Sequence, residues 1–436
     1  MTHPELSRSI AVSKPGMPMI RTAFAAVLLV RSLGCAATPA TSKHAPIHPL
    51  REGSPMQDDF ADLAPLGEAI GDKRIVMLDE LTHGEGNIYE SKVRTVRYLH
   101  ARKGFDLLVL ESGLFDVARL WQSRLPLRAN APGNIFYMYA NSAEVWPLYD
   151  YLDAQRDTPD AMQLAGFDGR LSGAFSRRQL VPQLRERLLR QPLDEMARQR
   201  LQLHLQQVQQ LLDGKLAMAD ARARQRFLDD SQWLLQLLPA PDAEHGDDVF
   251  DSDGFWRRIN ASLQRMAEVS WQLRPFDEHD PVMAGNLQWL LEQAYPGRKA
   301  IIWGHYAHLN RLGGYREGHL RGFPPVDNVT RALPKALQAQ AYVLHYAGAQ
   351  GSYRDYIDQQ LRDVGARPSQ LESRLTAKAA AVFVDLHAGS LPGEDDVASR
   401  LWSMDYADGL PLAEVRQRFD GLWLLDRITP ASNATP

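Results

Sequence analysis

The sequence predicts an α/β protein: a mostly parallel β-sheet flanked by helices, with an inserted α-helical hairpin subdomain. Short, continuous apolar runs alternate with longer amphipathic segments of helical period. The apolar runs lack the polar alternation of half-exposed strands, which is typical of strands buried on both faces of a sheet. A separate stretch rich in Leu, Gln and Arg at helical spacing predicts the inserted hairpin.

The apolar runs are the predicted strands. They are rich in Val, Ile, Leu and Phe, and they occupy residues 74–78, 105–110, 163–167, 299–303, 341–346, 381–384 and 422–425. Amphipathic segments such as 89–103 and 282–295 separate several of them. Alternation of strands with helices favours parallel strands joined by helical crossovers.

The helical insertion is expected over about residues 175–270. Its helical spacing is interrupted at Pro192 and around Asp213 and Gly214, which predicts a helical hairpin. The acidic stretch 239–254 contains Pro and Gly and is predicted to be a loop. The sequence leaves open whether the insertion caps the sheet or forms a scaffold or dimer surface.

Residues 1–55 are predicted to be a signal segment and a flexible tether. An apolar run over residues 23–30 follows Arg21 and is too short to span a bilayer. The following Ser32-Leu33-Gly34-Cys35 resembles a bacterial lipoprotein box. We therefore expect export to the periplasm, with lipidation of Cys35 as the means of attachment to the outer membrane. Residues 36–55, rich in Ala, Thr, Ser, Pro and His, are the expected tether.

The composition excludes several classes of function. The 436-residue chain has a formal net charge of −4, with 44% hydrophobic and 23% charged residues, as in ordinary soluble proteins. A nucleic-acid partner would need a concentrated basic face, and none is apparent in the sequence. Cys35 is the single cysteine, so residues 56–436 can form no disulfide and can use no thiol in catalysis.

Polar side chains follow the predicted strands where each strand ends. The strand-end residues are Glu80 and His83 after the first run, Glu111 after the second, Asp168 after the third, His305 and His308 after the fourth, and Asp385 and His387 after the sixth. Ligands of open parallel sheets bind where the carboxyl ends of the strands converge. Acidic and imidazole groups gathered there can act as acids and bases, so this edge is the predicted active site.

Several motifs carry a family resemblance. The segment Ile75-Val76-Met77-Leu78-Asp79-Glu80-Leu81-Thr82-His83-Gly84 resembles the Gly-Glu-x-Thr-His-Gly signature of the erythromycin esterase-like family. Further similarities follow in family order over most of the chain after about residue 60. They are Glu111 at a strand end, Gly166-Phe167-Asp168, Asp280 with Met283-Ala284 and Asn286, Trp303-Gly304-His305-Tyr306-Ala307-His308, Gly351-Ser352 and Phe419-Asp420-Gly421.

The resemblance implies a catalytic domain over residues 56–436. That domain would hydrolyse an ester, lactone or related acyl bond of a small molecule, without a cofactor or an obligatory metal. It implies that His83 is the general base acting on water, that Glu80 and Glu111 orient it, and that His305 stabilises the oxyanion or the leaving group. The residues expected to bind the substrate are His308, Asp168, Lys92, Tyr306 and Ser352.

Two alternatives stay open. Glu80, His83, His305 and His308 offer carboxylate and imidazole ligands for Zn or Mn, which would make a metal-dependent hydrolase. The chain also departs from the family pattern. Asp79 stands where Gly is usual, His279 where Arg is expected and Tyr306 where Asn is common. These departures favour a third hypothesis, a non-catalytic binding protein anchored in the cell envelope.

Overall fold

The computed structural model describes residues 44–53, 57–216, 220–238, 248–273, 279–313, 327–407 and 409–434. The predicted signal segment, including Cys35, lies outside the described residues. The strands are β1 (His48–Leu50), β2 (Ile75–Leu78), β3 (Leu107–Gly113), β4 (Gln163–Asp168), β5 (Ala300–Trp303), β6 (Ala341–Arg354), β7 (Leu361–Val364), β8 (Ala381–Asp385), β9 (Arg400–Trp402), β10 (Gly409–Pro411) and β11 (Gly421–Ile428).

The helices lie between these strands in chain order. They are α1 (Ala64–Ile70), α2 (Gly86–Lys103), α3 (Leu114–Ser123), α4 (Leu127–Asn130), α5 (Tyr137–Ala140), α6 (Trp146–Gln155), α7 (Val181–Leu188), α8 (Glu195–Leu212), α9 (Ala221–Leu237), α10 (Asp253–Ser270), α11 (Asp280–Trp289), α12 (Tyr306–Leu309), α13 (Val329–Ala332), α14 (Lys335–Ala339), α15 (Leu371–Leu375) and α16 (Leu412–Arg418). Among the described residues, no helix has both the length and the apolar character needed to cross a bilayer.

One sheet organises the fold. Nine strands pair in the order β1-β8-β11-β6-β2-β5-β3-β4, with β7 paired to β6. The six strands from β11 to β4 run parallel to their neighbours. Strands β1, β7 and β8 pair antiparallel. The predicted fold class, a mostly parallel sheet flanked by helices, is therefore confirmed.

The carboxyl ends of the central strands lie side by side in the sheet. Leu78 of β2 pairs with Trp303 of β5, which pairs with Leu110 of β3, which pairs with Gly166 of β4. All residues of β2 and β5 are buried, as expected for apolar runs covered on both faces. The residues that follow these paired positions therefore emerge at one edge of the sheet.

Two expectations about the sheet were wrong. Strand β8 is antiparallel to β11, so Asp385 pairs with Gly421 and the chain after it leads away from the edge where β2, β3 and β5 end. His387 bonds Asp420 instead, with a side chain that is 65% exposed. The expected tether also contains β1, which pairs with β8 as an edge strand.

The stretch between β4 and β5 is helical, but it is more than a hairpin. A π-helical turn (Ser176–Leu180) leads into α7, and α8, α9 and α10 follow. Interruptions occur near Pro192 and Asp213, where the sequence places them, because α8 begins after the N-cap Asp194 and ends at Leu212. Residues 239–247 of the predicted loop lie outside the described residues, and α10 already begins at Asp253.

Candidate active site

The strand ends bring Glu80, His83, Glu111 and His305 into one buried cluster. The ring centroids of His83 and His305 are 4.5 Å apart. His83 Nε2 lies 3.8 Å from Glu111 Oε1, and the backbone N–H of His305 donates to Glu111 Oε2 at 2.6 Å. Each of the four residues is at most 6% exposed. Strands β2, β3 and β5 thus supply one compact polar centre at their carboxyl ends.

Glu80 and His83 form a directed pair. His83 Nδ1 donates to Glu80 Oε1 at 2.9 Å. A carboxylate that accepts from Nδ1–H fixes the proton on that nitrogen and leaves Nε2 with its lone pair. Since Nε2 is the atom nearest Glu111, the basic face of the imidazole points into the cluster.

Two further side chains hold Glu80 in place. Tyr139 of α5 donates its hydroxyl to Glu80 Oε1 at 2.7 Å. The Lys92 ammonium of α2 contacts Glu80 Oε2 and lies 4.4 Å from the ring centroid of Trp303. Lys92 is fully buried. It was predicted to bind substrate, but the structure places it against Glu80.

His83 adopts a backbone conformation that is unusual for a residue with a side chain. Its φ is 61°, in the left-handed region, and such strain is common at functional sites. The Tyr89 hydroxyl bonds to the His83 carbonyl. The next residue must be glycine, because a Cβ on Gly84 would lie 1.8 Å from the Arg354 carbonyl oxygen. The loop that contains His83 and Gly84 therefore packs between α2 and the end of β6.

Asp79, one of the departures from the family pattern, has a defined partner. Its carboxylate accepts from His345 Nδ1 at 2.9 Å and from the Tyr346 backbone N–H at 3.0 Å. Asp79 and His345 are both fully buried. The additional carboxylate therefore joins the end of β2 to β6, directly before Glu80.

The ring of His305 is held by the backbone. Its Nε2 donates to the Leu81 carbonyl at 2.9 Å, and its Nδ1 accepts from the Ala307 N–H at 3.2 Å. Burial lowers the pKa of His305 to about 4, so the ring is neutral near pH 7. With both ring nitrogens occupied, His305 supports the ring of His83 and the carboxylate of Glu111, and neither nitrogen is free to donate to an oxyanion.

Two cations border Glu111 on its other side. His308 places Nδ1 2.8 Å from Asp280 Oδ1 and Nε2 3.4 Å from Glu111 Oε1. Arg170 donates through Nε to Asp168 Oδ2 at 2.6 Å, and its Nη2 lies 3.6 Å from Glu111 Oε1. Asp168 therefore contacts the cluster indirectly, by binding the Arg170 side chain that lies beside Glu111.

The surroundings set the charge of these groups. Burial, followed by the neighbouring His305, lowers the pKa of His83 well below 6.5 and favours a neutral imidazole. Burial alone would lower the pKa of His308, but Asp280 and Glu111 raise it well above 6.5. Burial alone would likewise raise the pKa of Glu111, yet the positive charges of His308 and Arg170 bring it well below 4.5. The cluster thus holds a neutral base beside a carboxylate and an imidazolium.

Two residues predicted to bind substrate lie outside the cluster. The ring of Tyr306 packs against His345 and Phe419, and only its backbone N–H reaches the site, by donating to the Glu80 carbonyl at 2.8 Å. Ser352 lies in β6 opposite Asp363 of β7. In the described part of the chain, no hydrogen bond joins either side chain to the cluster.

A cavity of about 320 Å³ lies beside the cluster. Its wall includes Phe136, Tyr137, Asp168 and Arg170, together with residues 112–113 at the end of β3. Phe136 also contacts the His83 ring, with centroids 4.9 Å apart. The cavity is large enough for a small organic molecule. Arg170 lines it directly, and Phe136 lies between the cavity and the His83 ring.

No clear sequence pattern indicated Tyr139, Arg170 or Tyr356. Arg170 stands two residues after the strand end at Asp168, which is the one signal that could have identified it. Tyr139 lies on a short helix, and Tyr356 lies in a loop with its ring 5.3 Å from that of His83. Neither position follows a recognisable pattern.

The four residues of the metal-dependent alternative are not arranged as a metal site. Both ring nitrogens of His305 are bonded to the backbone, and Nδ1 of His83 is bonded to Glu80. Among the described residues, the three-ligand grouping that the structure brings together is Asp58, Asp59 and Asp62. Arg51 is paired with all three of these acids, so charge neutralisation accounts for them.

Comparison with solved structures supports the fold. A protein from Bacillus cereus matches with a TM-score of 0.69, at 18% identity over 89% of this chain and 96% of its own. A succinoglycan biosynthesis protein matches with a TM-score of 0.67, at 17% identity over 88% and 95%. A histidine-to-asparagine mutant of erythromycin esterase EreC, in its open conformation, matches with a TM-score of 0.61, at 16% identity over 88% and 98%.

Sequence comparison supports the family. A Bacillus subtilis (strain 168) protein with the provisional name hydrolase YbfO is 24% identical over 403 residues, which is 85% of this chain and 87% of that protein. The erythromycin esterase family model matches residues 100–408, a range that contains Glu111, His305 and His308 and begins after His83. These matches support hydrolysis as the class of reaction. The chain belongs to the erythromycin esterase family.

Proposed function

We propose that this protein hydrolyses a carboxylic ester or lactone with a water molecule activated by His83. The observation that carries the proposal is the bond from His83 Nδ1 to Glu80 Oε1, at 2.9 Å. It orients Nε2 toward Glu111 and leaves that nitrogen able to accept a proton. Family membership supports the reaction class.

The proposed step balances as ordinary ester hydrolysis. The water oxygen attacks the carbonyl carbon while His83 Nε2 takes one of its protons, which gives a tetrahedral intermediate and an imidazolium. The bond to the alkoxy oxygen then breaks, and the imidazolium returns its proton to that oxygen. The products are a carboxylic acid and an alcohol, or one hydroxy acid from a lactone. Glu80 stabilises the transient imidazolium through Nδ1–H.

The negative charge that develops on the carbonyl oxygen needs a nearby cation or donor. We assign this role to His308 and Arg170, since both carry positive charge beside Glu111 and Arg170 also lines the cavity. His305 was expected to serve there, but its ring nitrogens are bonded to the backbone, so we assign it to positioning. Asp168 orients Arg170.

The cavity beside the cluster is the proposed substrate site. Phe136 and Tyr137 give it an aromatic wall, whereas Asp168 and Arg170 give it a polar one. Such a mixture suits a small neutral molecule with an apolar body and a polar ester group. Lys92 is assigned to holding Glu80, because it is fully buried against that carboxylate.

The test is hydrolysis of a panel of esters and lactones by the wild type and by His83→Asn. We expect at least one substrate to be hydrolysed by the wild type, with a rate lowered roughly 10²-fold to 10⁴-fold in the variant, because general base catalysis contributes about that much. His387→Asn is the matched control, since His387 also follows a strand yet bonds Asp420.

Three outcomes would contradict the proposal. Equal rates for His83→Asn and the wild type would exclude His83 as the base. Stoichiometric metal in the purified wild type, released by the same variant together with activity, would make His83 a ligand and favour the metal-dependent alternative. Tight binding of a panel member with no product formed by the wild type would favour the binding-protein hypothesis.

A further inference from the structure

A second cavity, of about 350 Å³, lies among helices α9, α10 and α11. Its lining includes Arg257, Arg258, Asn260, Gly285 and Trp289, none of which belongs to the cluster around His83. Its wall carries two neighbouring arginines from one helix. Neither the hydrolytic step nor the family motifs assign a role to them.

The Arg258 side chain is half-buried and has no acidic partner among the described residues. Its Nε donates to Asn286 Oδ1 at 2.8 Å and its Nη2 to the Val282 carbonyl at 3.0 Å. Within the described ranges it has no carboxylate partner, and its Nη1 donates to no residue. Burial lowers the pKa of Arg258 to about 10, with no acidic neighbour to offset the shift. Withdrawing a cation from water without a counter-charge costs free energy, and a bound anion would reduce that cost.

Arg257 adds a second cation at the same wall. Its Nη1 donates to the carbonyls of Leu235 and Leu238 at 2.8 and 2.7 Å. As far as the structure describes the chain, Arg257 also has no carboxylate partner. Two guanidinium groups that keep unused N–H donors are well suited to the oxygens of a phosphate or carboxylate.

The cavity wall is shaped around the Arg258 guanidinium. A methyl group at Gly285 would lie 2.5 Å from Arg258 Nη2, so glycine allows the guanidinium to rest directly on α11. Asn260 is 1% exposed and Trp289 is 3% exposed. Asn260 Oδ1 and Trp289 Nε1 are buried with no hydrogen-bond partner in the described structure. Such groups are rare without a ligand or water.

The carboxylates near the cavity are already engaged. Glu268 accepts from Gln264 and is paired with Arg265. Glu292 accepts from Gln288. Gln264 and Gln288, which line the cavity, therefore separate these acids from the arginines through their own hydrogen bonds.

We propose that this cavity binds a small molecule bearing a phosphate or carboxylate group, with Arg258 and Arg257 as the residues that contact the anionic oxygens. Trp289 Nε1 supplies a further donor, and Asn260 Oδ1 supplies an acceptor for a hydroxyl of the same ligand. This site is separate from the proposed ester site and does not depend on hydrolysis.

The test measures binding of inorganic phosphate and of acetate by calorimetry, at ionic strength held constant with sodium chloride. We expect one or both anions to bind the wild type and to raise its unfolding temperature. Binding of phosphate alone would assign a phosphate ligand, whereas binding of acetate would assign a carboxylate. Arg258→Gln is expected to weaken binding about tenfold or more, because it removes charge-assisted hydrogen bonds.

Two further variants keep the result interpretable if Arg258→Gln folds poorly. Ala261→Glu places a carboxylate at the cavity wall, so it should abolish anion binding while the protein stays folded. Arg200→Gln is the matched control, since Arg200 of α8 is already paired with Asp230 of α9, and this variant should bind the anions as the wild type does. Absence of anion binding by the wild type, or unchanged binding in Arg258→Gln and Ala261→Glu, would overturn the proposal.

Discussion

At the scale of single residues, the candidate site depends on how each imidazole nitrogen is bonded. His83 donates through Nδ1 to Glu80 and keeps Nε2 free of backbone contacts, whereas both nitrogens of His305 are engaged by the backbone. His308 lies between two carboxylates and is therefore cationic. Three histidines within one cluster thus have three different chemical roles, and the difference comes from their partners.

The pH dependence of the reaction follows from these partners. His83 must be neutral to act as a base, and its pKa is well below 6.5, so activity should fall on the acid side only below pH 6.5. His308 must be protonated to stabilise the oxyanion, and its pKa is well above 6.5, so activity should persist through neutral pH and decline on the alkaline side. The plot of kcat/KM against pH is the measurement, and it should be bell-shaped.

Asp280→Asn should move the alkaline limb of that plot. The substitution removes one of the two carboxylates that raise the pKa of His308, so the limb should shift to lower pH by about one unit or more. Asp253→Asn is the matched control, because Asp253 of α10 is paired with Arg187 of α7 and does not contact His308. An alkaline limb that stays in place in Asp280→Asn would show that the His308 cation is not required.

At the scale of secondary-structure elements, the loop after β2 determines where the base stands. Gly84 lies against the end of β6, where the Arg354 N–H donates to the Gly84 carbonyl at 3.0 Å. Asp79 ties the start of the same loop to His345 and Tyr346 of β6. The position of His83 is therefore set by the packing of the loop on β6 as well as by its bond to Glu80.

Gly84→Ala tests this element directly. The added methyl would lie 1.8 Å from the Arg354 carbonyl oxygen, so the loop must move, and we expect a loss of about 1–3 kcal/mol in the free energy of unfolding. Hydrolysis should fall about tenfold or more, because His83 precedes the displaced residue. Gly365→Ala is the control, since a methyl there meets nothing within 4 Å. Equal stability and activity in the two variants would refute this role of the loop.

The elements also show what the sequence could predict. Continuous apolar runs located the strands of the central sheet, and interruptions of helical spacing located the breaks between α7, α8 and α9. The direction of β8 was not predictable, because a buried apolar run reads the same whether its partner is parallel or antiparallel. Asp385 was therefore placed at the wrong end, and β1 was missed because three residues carry no periodic signal.

Prediction of the site had a similar limit. Strand ends identified Glu80, His83, Glu111 and His305 as neighbours, because paired parallel strands end at one edge. Tyr139 and Arg170 were missed, since their contacts depend on how loops and a short helix fold over that edge. The backbone partners of the His305 ring depend on the same loop geometry. The sequence therefore could not show that both ring nitrogens are bonded and that His305 cannot donate to an oxyanion.

At the scale of the whole molecule, we propose that residues 1–55 deliver the domain to the periplasm and that Cys35 anchors it to the outer membrane. The lipoprotein-like segment around Cys35 supports this location. Expression in a bacterial host with labelled palmitate should label the wild type and leave Cys35→Ser unlabelled and released from the membrane fraction. A Cys35→Ser protein with wild-type labelling and membrane association would contradict lipidation at this residue.

The measurement that tests the central claim most directly is the protonation state of His83, read from ¹⁵N-histidine NMR with His83→Asn used to assign its signals. Near pH 6.5 we predict a neutral ring with its proton on Nδ1, as the bond to Glu80 and the lowered pKa require. An imidazolium at that pH, or a neutral ring with its proton on Nε2, would contradict the account, because neither form could accept a proton from water at Nε2.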